Sequence, residues 1–198
     1  MDTEQLIQRV LKQMFIPLEA SGRHAHVTEA QAQVLFGHKL TEKRPLSQPG
    51  QFLANERVTV IGPKGEFQNV AVLGPERKEA QVEISLTDGK TLGIQPPVRL
   101  SGDVKDTPSA TLQGPMGQVH LRQGVICAQR HIHMTPEAAE RFHLKDGDKV
   151  RLQTYTERPV IFGDTVVRIS SKFATFAHLD YDEANACGFV QGDLGRPV

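Results

Sequence analysis

Two short segments with paired histidines carry the residue types best suited to hold a metal ion. The first, Arg-His-Ala-His, contains His24 and His26, and the second, Arg-His-Ile-His, contains His131 and His133. Successive side chains on a β-strand alternate between faces, so the two histidines of each pair project together. Two imidazoles on one face can bind one ion, which is the usual chemistry of zinc. A hydrogen-bonded histidine on a half-buried strand explains a single pair equally well, but the repetition favours metal.

Each pair needs further ligands to form a complete site. His178 joins His131 and His133 as a three-histidine set, the complement zinc takes when one coordination position stays open. Asp180 shares a strand face with His178. It is a fourth ligand, an outer acceptor that fixes a histidine tautomer, or a carboxylate that caps the turn at the strand end. For the first pair Glu83 is the candidate, although a glutamate on a strand usually only faces solvent.

Four arginines are candidates for binding an anion, because guanidinium pairs well with phosphate. Arg77 lies in a loop immediately before the Glu83 segment, and Arg99 precedes a Ser-Gly-Asp turn whose backbone N–H groups could meet an oxyanion. Arg23 and Arg130 precede the two histidine pairs and project from the opposite strand faces. Most arginines are solvated surface residues, so the pattern does not choose among these four.

Cys127 lies on the face predicted for the second histidine pair, because alternation from Val125 to His133 places Cys127 and His131 together. It is either a ligand or nucleophile, or a buried inert thiol, and the inert thiol is the more common case. The only other cysteine, Cys187, has no supporting pattern.

Length and composition exclude several classes of protein. The chain has 198 residues, enough for one large or two small domains, and its 23 basic and 23 acidic residues leave no field that would attract nucleic acid. It has no apolar run that would span a membrane and no secretory signal. Two cysteines suit a reducing compartment. We therefore predict a soluble, cytoplasmic protein that binds neither nucleic acid nor membrane.

Helix signals occur at residues 3–15, after both histidine pairs and at Asp182. Residues 3–15 carry an apolar stripe at helical spacing, typical of a helix packed on the domain or of a docking peptide. Thr28 with Gln31 predicts a capped helix that ends at Gly37, and Thr135 with Pro136 predicts a second that ends near His143. Asp182 is the predicted N-cap of a short final helix.

The rest of the chain predicts short strands separated by Gly and Pro turns. The predicted strands cover residues 18–27, 57–62, 67–73, 80–86, 97–100, 118–122, 149–154, 160–162, 164–170 and 174–179. Such strands favour a mainly β fold of two small β-barrel domains with short helices. The predicted domains are residues 1–60 plus 125–198, with the N-terminal helix, and residues 61–124.

Several segments, in this order, resemble the PduL-type phosphotransacylases, the phosphate propanoyltransferases of bacterial propanediol-degrading microcompartments. The resemblance covers roughly residues 16–187. It rests on Gly-Arg-His-Ala-His, Leu-Ser-Gln-Pro-Gly-Gln-Phe (46–52), Gly-Pro-Lys-Gly (62–65), Leu-Gly-Pro-Glu-Arg (73–77), Gln-Val-Glu-Ile-Ser (81–85), Ser-Gly-Asp (101–103), Val-Ile-Cys-Ala-Gln-Arg-His-Ile-His-Met and Asp-Glu-Ala-Asn-Ala (182–186).

The resemblance implies two β-barrels with a dinuclear zinc site at their junction. It places Arg77 at a phosphate-binding position and Ser101 in a Ser-Gly segment near the site. The implied ligands of the two zinc ions are His24, His26 and Glu83 for one ion, and His131, His133 and His178 for the other.

The implied reaction interconverts acyl-CoA and phosphate with acyl phosphate and CoA, with propanoyl and/or acetyl as the acyl group. The implied partners are these substrates, a second copy of the chain in a homodimer, and other enzymes or the shell of a microcompartment. Two alternatives use the same residues: a zinc-dependent thioester hydrolase, in which water is the nucleophile, and a non-catalytic, metal-stabilised microcompartment module. Acyl-chain preference and the residues that contact CoA stay open.

Overall fold

The two histidine pairs lie in two separate compact units, each with its own apolar core. A computed structural model describes residues 2–198, except for the side chains of Gln8 and Lys12. One unit is Gly22–Gln129, and the other combines the chain up to Ser21 with Arg130–Val198. The fold is mainly β, as predicted.

Within the described range the chain forms five helices and fifteen strands. The helices are α1 (Thr3–Met14), α2 (Glu29–Phe36), α3 (Leu86–Leu92), α4 (Pro136–Phe142) and α5 (Tyr181–Cys187). The strands are β1 (Ile16–Ser21), β2 (His24–His26), β3 (Glu42–Pro45), β4 (Phe52–Ile61), β5 (Glu66–Gly74), β6 (Gln81–Glu83), β7 (Val98–Arg99), β8 (Ala110–Gln113), β9 (Gln118–Leu121), β10 (Val125–Ala128), β11 (His131–Met134), β12 (Lys149–Tyr155), β13 (Ile161–Ile169), β14 (Phe176–Asp180) and β15 (Leu194–Pro197).

The discontinuous unit is a closed barrel with strand order β1-β14-β11-β13-β12-β15. Its fully buried side chains include Ile16, Leu18, Ile132, Met134 and Leu152, which form one core. The strand β11 runs between β14, its antiparallel neighbour, and β13, its parallel neighbour. The barrel therefore holds the second histidine pair at the centre of three paired strands.

The continuous unit is a nine-stranded sheet with the order β7-β10-β6-β2-β5-β4-β8-β9, in which β3 pairs with β4. Its core includes Leu35, Val72, Leu92 and Leu112. The strand β2 has the same surroundings as β11, because β6 is its antiparallel neighbour and β5 its parallel neighbour. The sequence repeat is thus a repeat of strand arrangement.

The limits of the units differ from the predicted domains, residues 1–60 plus 125–198 and residues 61–124. Both divisions leave one discontinuous and one continuous part. The predicted boundary after residue 60 falls within β4, which pairs with β5, so the strands on its two sides belong to one sheet. The first histidine strand belongs to that same sheet through its pairing with β5 and β6.

The helix caps follow the sequence signals at most positions. Thr28 and Gln31 form a capping box on α2, which ends at Gly37 in the left-handed conformation. Thr135 caps α4, with Pro136 in its first turn, and His143 ends it. The predicted Asp182 cap of the last helix is wrong, because Asp180 occupies that position and forms the capping box.

Several predicted strands have different limits. The predicted strand 18–27 is two strands, β1 and β2, which belong to different units. The end of the predicted strand 80–86 is the start of α3, because Ser85 and Asp88 form a capping box and the helix continues through Gly89. The predicted strands 160–162 and 164–170 are the single strand β13, in which Asp164 adopts a left-handed conformation with φ of 48°.

The apolar stripe of α1 lies largely in solvent. Leu6, Ile7, Val10 and Met14 are between 44% and 52% exposed, although Phe15, just after the helix, contacts the Tyr155 ring edge-on at 5.0 Å. Because this stripe is not buried against the barrel, the structure does not support a helix packed on the domain. The docking peptide stays a prediction. Across residues 2–198 every helix is too short or too polar to cross a membrane.

Candidate functional site

The three side chains of the first ligand set meet because of strand register. His24 lies directly opposite Glu83 in the antiparallel β2–β6 pair, and His26 projects from the same face of β2. All three residues are buried, and their candidate ligand atoms lie within 4.8 Å of one another. The distance from His24 Nε2 to Glu83 Oε1 is 3.6 Å.

The second set repeats this register. His131 lies directly opposite His178 in the antiparallel β11–β14 pair, and His133 projects beside His131. The ligand atoms of these three residues also lie within 4.8 Å of one another. The ring centroid of His131 is 4.5 Å from that of His133 and 4.9 Å from that of His178. Glu83 and His178 are therefore equivalent positions of the two sets.

Both sets fit a zinc ion. Four-coordinate zinc with bonds of about 2.1 Å places its ligand atoms roughly 3.4 Å apart. The His24–Glu83 separation of 3.6 Å already matches this value. The other ligand atoms lie within 4.8 Å of one another, so an ion would draw them together by at most about 1.4 Å. Imidazole and carboxylate are zinc's usual ligands, and three protein ligands leave one position for water or substrate.

Backbone carbonyls orient the histidines of the first set. The Nδ1 atom of His24 lies 2.8 Å from the carbonyl oxygen of Gly22, and Nδ1 of His26 lies 3.1 Å from that of Leu73. A carbonyl accepts a hydrogen bond, so these contacts favour the tautomer that carries its proton on Nδ1. The Nε2 lone pairs would then be available to a metal ion. In the second set a carboxylate rather than a carbonyl lies beside a histidine Nδ1, since Glu19 Oε2 is 3.5 Å from His178 Nδ1.

The charges of the first set favour the metal-binding forms of Glu83 and His26, but not that of His24. Burial opposes ionisation of Glu83, but His24, His26 and the Ser101 hydroxyl outweigh it and hold the pKa of Glu83 well below its usual range. Burial, together with the nearby His24 and Arg77, lowers the pKa of His26 well below its ordinary value. Burial also opposes protonation of His24, but Glu83 outweighs it, and the pKa of His24 is raised. At neutral pH the set thus contains an ionised carboxylate and a neutral His26.

A chain of hydrogen bonds connects Arg77 to the first set. The guanidinium Nη1 of Arg77 donates to the Ser101 hydroxyl at 3.2 Å, and this hydroxyl donates to Glu83 Oε1 at 2.9 Å. Arg99, the other candidate in this region, instead pairs with Asp103 at 2.8 Å on the surface. The structure therefore brings together Arg77, Ser101 and Glu83, three residues that were candidates for different reasons.

Gln81 is a buried member of this network that sequence reasoning missed. Its amide nitrogen donates to Glu83 Oε1 at 2.6 Å and to the Ser101 hydroxyl at 2.8 Å. Its amide oxygen accepts from the backbone N–H of Gly102 at 2.7 Å. The signal was present, since Gln81 is two residues before Glu83 and therefore on the same strand face. The spacing did not predict the contacts with Ser101 and Gly102, because these two residues come from a distant turn.

Known proteins match this chain over nearly its whole length. The family model described as phosphate propanoyltransferase matches residues 17–190. A phosphate propanoyltransferase of Clostridioides difficile is 49% identical over 98% of this chain and 94% of its own length. One from Enterococcus faecalis is 50% identical over 97% of this chain and 93% of its own length, and one from Thermotoga maritima is 46% identical over 96% and 92%.

The chain belongs to the phosphate propanoyltransferase family. The predicted resemblance is thereby confirmed. Every candidate residue from His24 to His178 lies within the part that matches the phosphate propanoyltransferase model.

Two predicted neighbours of the ligand sets lie elsewhere. Cys127 is buried in β10 of the continuous unit, whereas His131 and His133 are in β11 of the barrel, so the predicted alternation does not continue across residues 129–130. Asp180 caps α5 by accepting the Glu183 N–H at 2.8 Å, which is the turn-capping alternative. Among the described residues of this phosphate propanoyltransferase family member, neither belongs to the two groups that could hold a metal.

Proposed function

We propose that this protein interconverts acyl-CoA and phosphate with acyl phosphate and CoA, with propanoyl and/or acetyl as the acyl group. The proposal includes two zinc ions per chain, one in each ligand set, acting as the dinuclear centre that the resemblance implies. The observation that carries it is the Arg77–Ser101–Glu83 chain of hydrogen bonds. This chain supports the proposal because it connects a cation suited to phosphate with a group of side chains that could hold a metal, as transfer to phosphate would require.

In the transfer, an oxygen of phosphate attacks the thioester carbonyl carbon and forms the C–O bond of the acyl phosphate. The C–S bond breaks, the CoA thiolate leaves, and the proton lost by the attacking phosphate passes through water to that thiolate. Zinc, when bound, supplies a Lewis acid that stabilises negative charge on the carbonyl oxygen and on the departing sulfur.

The side chains around the first set orient the attacking phosphate. Arg77 can bind two phosphate oxygens with a pair of parallel N–H donors, which turns a bimolecular collision into an oriented step. The Ser101 hydroxyl holds the end of the guanidinium group, and Gln81 holds this hydroxyl through a fixed amide. Because these donors are already in place before substrate arrives, little reorganisation is needed as charge develops.

Transfer is direct in this proposal, with no acyl group carried on the enzyme. Cys127, the one cysteine considered as a nucleophile, is 1% exposed in the core of its unit. A buried thiol in apolar surroundings is inert. A labelled acyl group trapped on Cys127 during turnover would contradict direct transfer.

The decisive assay measures thiol release from propanoyl-CoA and acetyl-CoA, with and without phosphate, on protein whose zinc content is known. We expect release that requires phosphate and yields acyl phosphate, from protein with two zinc ions per chain. Release of free acid without phosphate would establish the hydrolase instead. Zinc-loaded protein that releases no thiol would establish the non-catalytic module.

The proposed setting is a bacterial microcompartment that degrades propanediol, with the chain present as a homodimer. The microcompartment setting is supported by the exposed apolar stripe of α1, which suits a segment that binds a protein surface. Deletion of residues 1–14 is expected to leave phosphate-dependent turnover unchanged and to reduce co-purification with shells in cells that make them. Equal recovery of the full and shortened chains with shells would contradict a packaging role.

A further inference from the structure

The two arginines that precede the histidine pairs are engaged with carboxylates. Arg23 forms a two-point contact with Asp88, in which Nη2 donates to Oδ1 at 2.7 Å and Nε donates to Oδ2 at 3.1 Å. Arg130 donates from Nη1 to Glu183 Oε1 at 2.7 Å and from Nε to the carbonyl oxygen of Gly163 at 2.5 Å. Charge-assisted contacts of this geometry are the stronger hydrogen bonds in proteins. Both guanidinium groups are therefore fixed in place.

The two carboxylates occupy equivalent positions in the fold. Asp88 is the third residue of α3, which begins shortly after Glu83, and it also accepts the backbone N–H of Ser85 at 3.3 Å. Glu183 is the third residue of α5, which begins shortly after His178, and it accepts the backbone N–H of Asp180 at 3.1 Å. Each arginine thus ties the strand of two histidines to the helix start that follows the third ligand.

An aromatic ring completes each arrangement. The Arg23 guanidinium carbon is 4.0 Å from the ring centroid of Phe67, and that of Arg130 is 5.9 Å from Phe162. Both rings come from the strand parallel to the histidine strand, β5 and β13 respectively. Each lies four residues before the partner of the first histidine, since His24 pairs with Ala71 and His131 pairs with Val166.

The same three contacts thus occur at the same places around both ligand sets. Surface ion pairs are usually weak and have no fixed position, so chance pairing does not account for the repetition. Asp88 and Glu183 are also largely buried, with side-chain exposures of 7% and 15%. An arrangement that recurs with the ligands points to a role connected with them.

We propose that Arg23–Asp88 and Arg130–Glu183 are matched positioning clamps, each of which holds the strands of one metal-ligand set at the spacing that binds zinc. The inference rests on the proposed zinc sites and deepens them. Arg23 and Arg130 act through the ligands and contact neither metal nor substrate, so they are positioning residues. This removes both from the four candidates for anion binding and leaves their charge committed to Asp88 and Glu183.

The test uses full-length chains in which only one ligand set remains. Replacement of His131 and His133 by alanine leaves the first set, and replacement of His24 and His26 leaves the second. Asp88→Asn and Glu183→Gln are introduced into each background, because an amide oxygen can still accept the backbone N–H that each carboxylate caps. Zinc affinity is measured by competition with a chelator, and folding by circular dichroism melts.

We expect Asp88→Asn to weaken zinc binding about tenfold where only the first set remains, the effect typical of groups that orient metal ligands. It should leave zinc affinity unchanged where only the second set remains. Glu183→Gln should show the reverse selectivity. Asp103→Asn is the matched control, because it breaks the exposed Arg99–Asp103 pair, whose bond length of 2.8 Å is close to the 2.7 Å of the other two, and should alter neither affinity.

Unchanged zinc affinity in the matching background, or an equal loss in both, would overturn the clamps while leaving the zinc sites intact. Absence of zinc from the unsubstituted chain would overturn the proposed metal function itself, so the two failures are distinguishable. If a carboxamide variant does not fold, Arg23→Lys and Arg130→Lys replace it, because lysine keeps the charge but loses the two-point geometry. The same set-selective loss of zinc affinity is then required.

Discussion

Replacement of Glu83 by glutamine is expected to remove one zinc ion per chain and to lower phosphate-dependent CoA release by about 10³-fold, the equivalent of about 4 kcal/mol of lost charge stabilisation. The amide has the shape of the carboxylate but no negative charge, so it neither attracts zinc nor balances it. Its NH₂ group also competes with the donors already directed at this position, the Gln81 amide and the Ser101 hydroxyl. Zinc content by elemental analysis and CoA release by thiol assay measure the two effects.

Glu66→Gln is the matched control for this substitution. Glu66 begins β5 in the same unit, is exposed, and its carboxylate accepts a hydrogen bond from the side chain of Gln68. Its replacement should change neither zinc content nor turnover. Full zinc and normal turnover in the Glu83→Gln protein would exclude Glu83 as a ligand.

The same assay tests whether the two ligand sets serve one reaction. If the proposed dinuclear centre is correct, His133→Ala should lower turnover as much as Glu83→Gln does, although the two residues belong to different sets. Turnover that survives loss of the second set, with one zinc ion retained, would restrict the chemistry to the first set.

The histidine pairs and their helices could be predicted because their signals are local. Alternation places His24 beside His26. Thr28 with Gln31, and Thr135 followed by Pro136, indicate a helix start regardless of the rest of the fold. These features need only a few consecutive residues. The structure accordingly contains the caps at Thr28 and Thr135.

The third ligands depend on strand pairing, which sequence pattern does not specify. Glu83 reads as an ordinary exposed strand residue until β6 is known to pair with β2, which places it opposite His24 and buries it. From the pattern Glu83 was one candidate for the first pair, and the family resemblance implied it as a ligand. Gln81 was missed for the same reason, because its partners lie on a turn that follows another helix.

Local breaks explain the incorrect strand limits. The run 18–27 has continuous strand character, yet the chain passes from one unit to the other after Ser21. The predicted strand 80–86 runs into α3, because the Ser85–Asp88 capping box and the Arg23 contact to Asp88 stabilise a helix around Gly89, although glycine is a weak helix former. In both places tertiary contacts outweigh the local signal.

Replacement of Arg77 by alanine should raise the phosphate KM by about 10- to 100-fold, since hydrogen bonds to a charged partner contribute roughly 1.5–3 kcal/mol. Zinc content should stay at the level of the unsubstituted protein, because Glu83 keeps its contacts with Ser101 and Gln81. Arg77→Lys should recover part of the affinity, since a point charge replaces a two-point donor. Initial rates measured across phosphate concentrations give the KM values.

Arg99→Ala separates a specific phosphate contact from general positive charge near the Ser101 turn. Arg99 is as close in sequence to Ser101 as any arginine, but its guanidinium is paired with Asp103 and is 43% exposed. We expect its replacement to leave the phosphate KM unchanged. An equal rise of the phosphate KM in the Arg77→Ala and Arg99→Ala proteins would mean that Arg77 acts only through general positive charge. An unchanged phosphate KM in the Arg77→Ala protein would contradict the phosphate-binding role of Arg77 on which the transferase proposal depends. It would favour water as the nucleophile at the same proposed metal ligands.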